Sequence, residues 1–264
     1  MMGRVLAVVG KELNDVRRSR LILTTMIVPT VLYVLLSFGV LSADSLPGVG
    51  VLSQADLRSL ERTLPRAAEL SPAETFQALV VDQILVLYML APLFIPLTIA
   101  SYSIIGEKTV RTLEPILATP IRTWELLLAK AVAAVIPGVL VSWASYAAFL
   151  VLASLTTSGE VVRLALSPVW LVAFSILSPL FALLAVGMAV IASSRTNDPR
   201  AAQQLGAVVI LPVSALLSAQ AFGFIRLDVS HALLIAGLAA LADVGLLWVA
   251  VRLFNRETIL TRWR

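Results

Sequence analysis

LVVDQILVLYMLAPLFIPLTIASYS, residues 79–103, is an apolar run as long as a bilayer crossing, because about 20 mainly apolar residues span the hydrocarbon as a helix. Its one carboxylate, Asp82, sits toward one end of the run, within reach of water. Five comparable runs surround it, at roughly 21–41, 126–153, 169–192, 204–225 and 231–253. Composition agrees: 59% of the residues are hydrophobic and 14% charged, against about 25% charged in ordinary soluble domains. Mean hydropathy is +0.95. The pattern predicts an all-α integral membrane protein, one polytopic domain over residues 1–264 with about six spans.

Two residues beyond this run comes GEKTVRTLEPILATP, Gly106 to Pro120, which carries both signs of charge and ends on a proline. Such charges do not rest in hydrocarbon, so the segment faces water, headgroups or another protein. Glu107, Arg111 and Glu114 fall on one helical face, with Glu107 and Arg111 spaced for an ion pair. Thr112, Leu113, Ile116 and Leu117 supply an apolar ridge. Pro115 disfavours a helical Glu114, and Thr119 before Pro120 resembles an N-cap with proline at the first helical position.

The basic residues set the expected topology. The pI is about 9.8, and fifteen of the twenty Lys and Arg residues fall in the N-terminal flank, the 106–130 region, the 195–200 connection and the C-terminal tail. Only Arg58, Arg62, Arg66, Arg163 and Arg226 fall in the alternate segments. By the positive-inside rule both termini are cytoplasmic, which suits a multi-pass protein of the plasma membrane. No clear A-x-A cleavage pattern follows the first run, so it is expected to be retained.

Residues 1–20 form an amphipathic helix, with Val5, Leu6, Val9, Leu13 and Val16 on one stripe and Lys11, Asp15 and Arg18 on other faces. This pattern suits the headgroup layer. The longest polar insertion, 42–78, opens with LPGVG and reads as a solvated outer segment holding a helix or two.

Sites of bond chemistry are not expected. Without cysteine there is no disulfide, thiolate nucleophile or thiolate metal site. No phosphate-cradling GxxxxGK[ST] loop, HExxH pair or GxSxG elbow occurs, and His231 is the single histidine. The chain is therefore read as a non-enzyme, with no catalytic, cofactor-binding or metal residue. If ATP powers it, the nucleotide site lies on another polypeptide.

EKTVRTLEPILATP resembles the signature of ABC-2 permease subunits of ATP-binding-cassette transporters, loosely E-K-x-x-x-T-L-E-x-L-L-x-x-P. Glu107, Lys108, Thr112, Leu113, Glu114, Leu117 and Pro120 match it, with Ile116 in place of a leucine. KELNDVRRSR, SSRTNDPRAAQQ and the closing LFNRETILTRW resemble the family's entry helix, fourth connection and tail. The resemblance implies six helices per half-transporter and a coupling helix within 104–125. It further implies docking on a separate ATPase subunit through Glu107, Lys108, Arg111, Thr112, Leu113, Glu114 and Pro120. ATP and Mg²⁺ would sit on that partner, a second permease copy or homologue would complete the pathway, and the direction would be export.

Asp243, near the middle of the last run, is the candidate pathway residue. A carboxylate there is costly and marks a functional site by default. Ala236, Gly237, Ala239, Ala240 and Gly245 around it also form a small-residue packing surface. The competing reading is a secondary transporter or channel in which Asp243 carries a proton or cation. Pro92 and Pro96, Pro137, Pro179 and Pro212 predict kinks, each freeing a carbonyl that neighbours or water must satisfy.

Overall fold

The computed structural model describes residues 2–41, 72–110, 122–221 and 228–253, and among these residues it is helical with no strand. The helices are α1 (Met2–Arg18), α2 (Arg20–Leu41), α3 (Pro72–Tyr88), α4 (Ala91–Thr109), α5 (Thr123–Thr156), α6 (Gly159–Ala165), α7 (Pro168–Val172), α8 (Ser178–Arg195), α9 (Pro199–Gly206), α10 (Ile210–Ala221) and α11 (Val229–Leu253). Among the described residues five stretches are long and apolar enough to cross a membrane: Arg20–Gly39, Gln83–Thr109, Trp124–Thr156, Val161–Arg195 and Val229–Leu253. The run at 204–225 is divided by a 3₁₀ turn, Ala207–Val209, between α9 and α10. Most of the 42–78 insertion lies outside the described residues.

Local chemistry sets the boundaries. Between α1 and α2 stands Ser19, whose Oγ accepts the Ile22 N–H at 3.4 Å and caps the new helix. The 79–103 run is two helices, with a turn at Met89–Leu90. Pro92 opens α4, where its missing N–H costs nothing. Glu125 reaches back to accept the Arg122 N–H at 2.8 Å and starts α5. Asp228 caps α11 by accepting the His231 N–H at 2.8 Å. That backbone bond, with bonds from Ser230 and the His231 ring, holds the Asp228 carboxyl well below the usual range.

Ahead of Pro179 the helix departs from α geometry. Residues Ala173–Leu177 form a π turn, in which the Ser178 N–H reaches back to the Ala173 carbonyl. The next donor in that series would come from residue 179, which is proline and has none. Trp143 on α5 supplies it, donating its indole N–H to the Phe174 carbonyl at 2.6 Å.

The centre of the bundle is α4 packed on α8 and α5. Of the span through α3 and α4, 78% is buried within the chain, against 11% for α2 and 22% for α11, which therefore lie at the periphery. Glycines let helix axes approach. A Cβ on Gly138 would collide with the Pro96 ring, one on Gly206 with Leu97, and one on Gly187 would stand 2.9 Å from Leu246 Cβ. Between apolar helices in lipid such close contact is a principal source of association. At the opposite end from α1, Tyr146 stacks on Phe174 with ring centroids 4.1 Å apart. Its hydroxyl donates to the Ala165 carbonyl at 2.7 Å.

Candidate functional site

The apolar stripe of α1 is not simply laid on lipid. Val9 is buried against Ala129 and Ala133 of α5, with Val5, Val8 and Leu13 packed around them, while Leu6 stays exposed. The same buried face includes Glu12, one turn from Val9 and one from Val16. A carboxylate on an apolar stripe needs a partner, because burying a charge is costly unless it is paired and hydrogen-bonded.

Lys130 is that partner. It lies inside the apolar length of α5, its side chain only 3% exposed. Its ammonium donates to Glu12 Oε1 at 2.8 Å and to Ser103 Oγ at 2.7 Å, and forms an ion pair with Glu107 Oε2 at 2.8 Å. Ser103 in turn donates to Glu12 Oε2 at 2.5 Å. Lys11 contacts Glu107 Oε1 and lies 3.4 Å from Glu12 and 3.8 Å from Asp15. Three helices, α1, α4 and α5, are thus joined by one ring of charge around a buried lysine.

The electrostatics of α1 follow from this ring. Burial by itself pushes the Glu12 carboxyl up. The Lys130 charge, with the bonds from Lys130 and Ser103, outweighs it, and the carboxyl lies below its ordinary value. For Lys11, burial lowers the ammonium while Glu107 raises it, and the net direction is upward.

Lys108 follows Glu107 but points elsewhere, since neighbours on a helix are about 100° apart. Its Nζ donates to the carbonyls of Thr196 at 3.2 Å and Ser193 at 3.4 Å. The C-terminal carbonyls of α8 have no helical partners, and a lysine there satisfies them and complements the helix dipole. The last turn of α4 is therefore tied on one side to α1 and α5 and on the other to α8. Immediately beyond it the described backbone ends at Val110.

Of the residues expected to couple to a partner, Glu107 and Lys108 are in this assembly. Arg111, Thr112, Leu113, Glu114 and Pro120 lie outside the described residues, so the expected Glu107–Arg111 pair does too. Glu12, Ser103 and Lys130 were not singled out by the sequence reading. The signal was available: Glu12 interrupts the valine stripe of α1, and Lys130 stands in an apolar run. Their pairing was not available, because nothing local brings residue 12 to residue 130.

Asp243 faces protein. It lies on the buried stripe of α11, Ala232, Ala236, Ala239, Asp243 and Ala250, while Leu238, Leu241 and Val244 face outward. Gly237 and Gly245 also fall on the exposed side. Both Asp243 oxygens are buried without a hydrogen-bond partner among the described residues.

No curated protein matches the chain. The helical membrane bundle and the charged exit of α4 instead agree with a family-level match: residues 6–241 fit the ABC-2 family transporter protein, and the chain belongs to that family.

Proposed function

We propose that this chain is the permease subunit of an ATP-driven exporter in the plasma membrane. It forms half of the pathway, pairs with a second permease copy or homologue, and docks separate nucleotide-binding subunits that hold ATP and Mg²⁺. Both termini and the 104–125 segment face the cytoplasm, in keeping with the basic bias of those segments. Docking uses the apolar ridge and mixed charges of 106–120. This chain's contribution is mechanical.

The supporting observation is the ring around Lys130. A displacement of the segment after α4 meets α1 and α5 through Glu107 and α8 through Lys108, so three helices receive it together. Salt-bridged helices that move as a body are a common route by which a small shift at one surface becomes a rearrangement across a bundle. Energetic coupling requires that the partner hold this end differently in its two states.

The test is purification of the tagged chain from its native membrane in mild detergent, with mass spectrometry and an ATPase assay, comparing wild type and Glu114→Arg. A co-purifying ATPase that is lost or uncoupled in the variant is the expected result. Absence of any ATPase under gentle conditions overturns the proposal.

A further inference from the structure

The cations at the α1 end of the bundle divide by type. All three lysines of the chain are engaged within the fold: Lys11 and Lys130 in the ring with Glu12 and Glu107, and Lys108 on the last carbonyls of α8. The described carboxylates at this end are engaged as well. Glu12 and Glu107 belong to that ring, Asp15 lies 3.8 Å from Lys11, and Glu125 and Asp198 accept the N–H groups of Arg122 and Arg200. The arginines differ. Arg17, Arg18 and Arg20 are exposed, and among the described residues their guanidinium groups have neither an ion pair nor a hydrogen bond.

These three cations stand at one corner. Arg17 and Arg18 end α1 and Arg20 opens α2, while Val16 and Ile22 on either side are buried in the core. Successive helical residues are about 100° apart, so Arg17 and Arg18 turn away from the bundle that holds Val16. Neither bonds the carbonyls that end α1, the usual structural use of a cation there. Arg20 is also the first residue of the apolar span Arg20–Gly39, only 11% buried within the chain. Its exposed residues Leu21, Val28 and Leu32 follow at spacings of seven and four on one face. The hydrocarbon of one leaflet is about 15 Å deep, roughly ten residues of helix, so this stripe runs from the headgroups to the bilayer centre. Arg252 repeats the placement at the end of the last span, its guanidinium carbon 3.6 Å from the centroid of the Trp248 ring, an indole suited to the headgroup border.

We infer that Arg17, Arg18 and Arg20 bind the phosphate of an anionic phospholipid whose acyl chains lie along Leu21, Val28 and Leu32. A guanidinium fork meets two phosphate oxygens at once and is more weakly hydrated than an ammonium. A zwitterionic headgroup brings its own ammonium and answers less of the uncompensated charge. The stripe below the arginines selects a lipid over a free phosphate or an acidic peptide, since neither of those covers it. Bound there, the lipid holds the α1–α2 junction, and with it the docked position of α1. The inference stands apart from the ATP-driven reading, because it needs a bilayer and no ATPase.

The test uses the full chain, delipidated in neutral detergent and titrated with phosphatidylglycerol or phosphatidylcholine of identical chains, with bound lipid counted by native mass spectrometry. Phosphatidylglycerol is expected to bind the tightest site roughly tenfold or more better, and added salt to shrink that preference. A cation near the membrane surface is worth roughly fivefold, so Arg17→Gln, Arg18→Gln and Arg20→Gln should each weaken phosphatidylglycerol by about that factor and leave phosphatidylcholine unchanged. All three together should remove the tightest-bound lipid. Should that triple variant fail to fold, the single variants and a photolabel decide: phosphatidylglycerol with a diazirine in its chain, in phosphatidylcholine nanodiscs, is expected to label 21–32. Equal affinity for the two lipids, or a preference unchanged by the arginine variants, overturns the inference. So does displacement of the lipid by inorganic phosphate at matched ionic strength, or crosslinking of 21–32 to a second copy of the chain in place of lipid.

Discussion

Lys130 and Glu12 are 118 residues apart in the chain and 2.8 Å apart in space, and this pair fixes the N-terminal helix to the bundle. Removing the lysine leaves two carboxylates, Glu12 and Glu107, facing one another without their shared buried counter-charge. Breaking one member of such a pair costs about 3–5 kcal/mol. Lys130→Met is expected to lower the melting temperature in detergent and to open the α1–α2 junction to protease. Glu12→Gln and Glu107→Gln added to it should recover much of the loss. A Lys130→Met protein as stable as wild type would show that the ring contributes nothing.

The same pair predicts a pH dependence. A carboxyl held below its ordinary value in the folded state binds its proton more readily when α1 is detached. The contribution of Glu12 is therefore full above the ordinary carboxylate value and declines as pH falls through the depressed one. Lys11 acts at the other extreme: raised in the fold, it contributes below the ordinary lysine value and is lost as pH climbs through the raised one. A spin-label distance between α1 and α5, followed against pH, should hold steady across neutrality and lengthen on acidification. Glu12→Gln should flatten the acid limb, and an unchanged limb would assign it to other groups.

Trp143 replaces a backbone donor that Pro179 lacks, so the two substitutions should not be additive. Trp143→Phe leaves the Phe174 carbonyl without its partner, and a buried acceptor so stranded costs about 1–3 kcal/mol. In a Pro179→Ala background the restored N–H offers an alternative, and the same Trp143→Phe change should cost less. A double-mutant cycle on thermal stability in detergent measures the difference. Equal costs in both backgrounds would break the assignment.

Asp243 carries two buried oxygens with no partner among the described residues, on a face otherwise built of alanine. Asp243→Ala removes that polar group at little loss of contact. Thermal stability is expected to stay level or rise by about 1–3 kcal/mol, the penalty of an unpaired buried group. A clear fall in stability would mean that the carboxylate is satisfied in the assembled protein. Transport assayed beside stability separates packing from function.

The sequence by itself determined the membrane class, the apolar runs, the basic bias and the family signature. These are sums over windows of about twenty residues or patterns within fifteen, and such local properties need no knowledge of neighbours. Pro92 and Pro179 mark a helix start and a π turn, since a missing N–H is local, whereas Pro96 and Pro137 lie inside the unbroken α4 and α5. Tertiary structure alone decided that the stripe of α1 packs on Ala129 and Ala133, and that Glu107 and Lys108 leave one helical turn toward different partners. It also decided that Pro179's deficit is met by Trp143, and that Asp243 turns inward. Each of these depends on which helix stands alongside, across separations such as the 118 residues between Glu12 and Lys130. A buried charge announces in sequence that a partner is required; only the packed bundle identifies it.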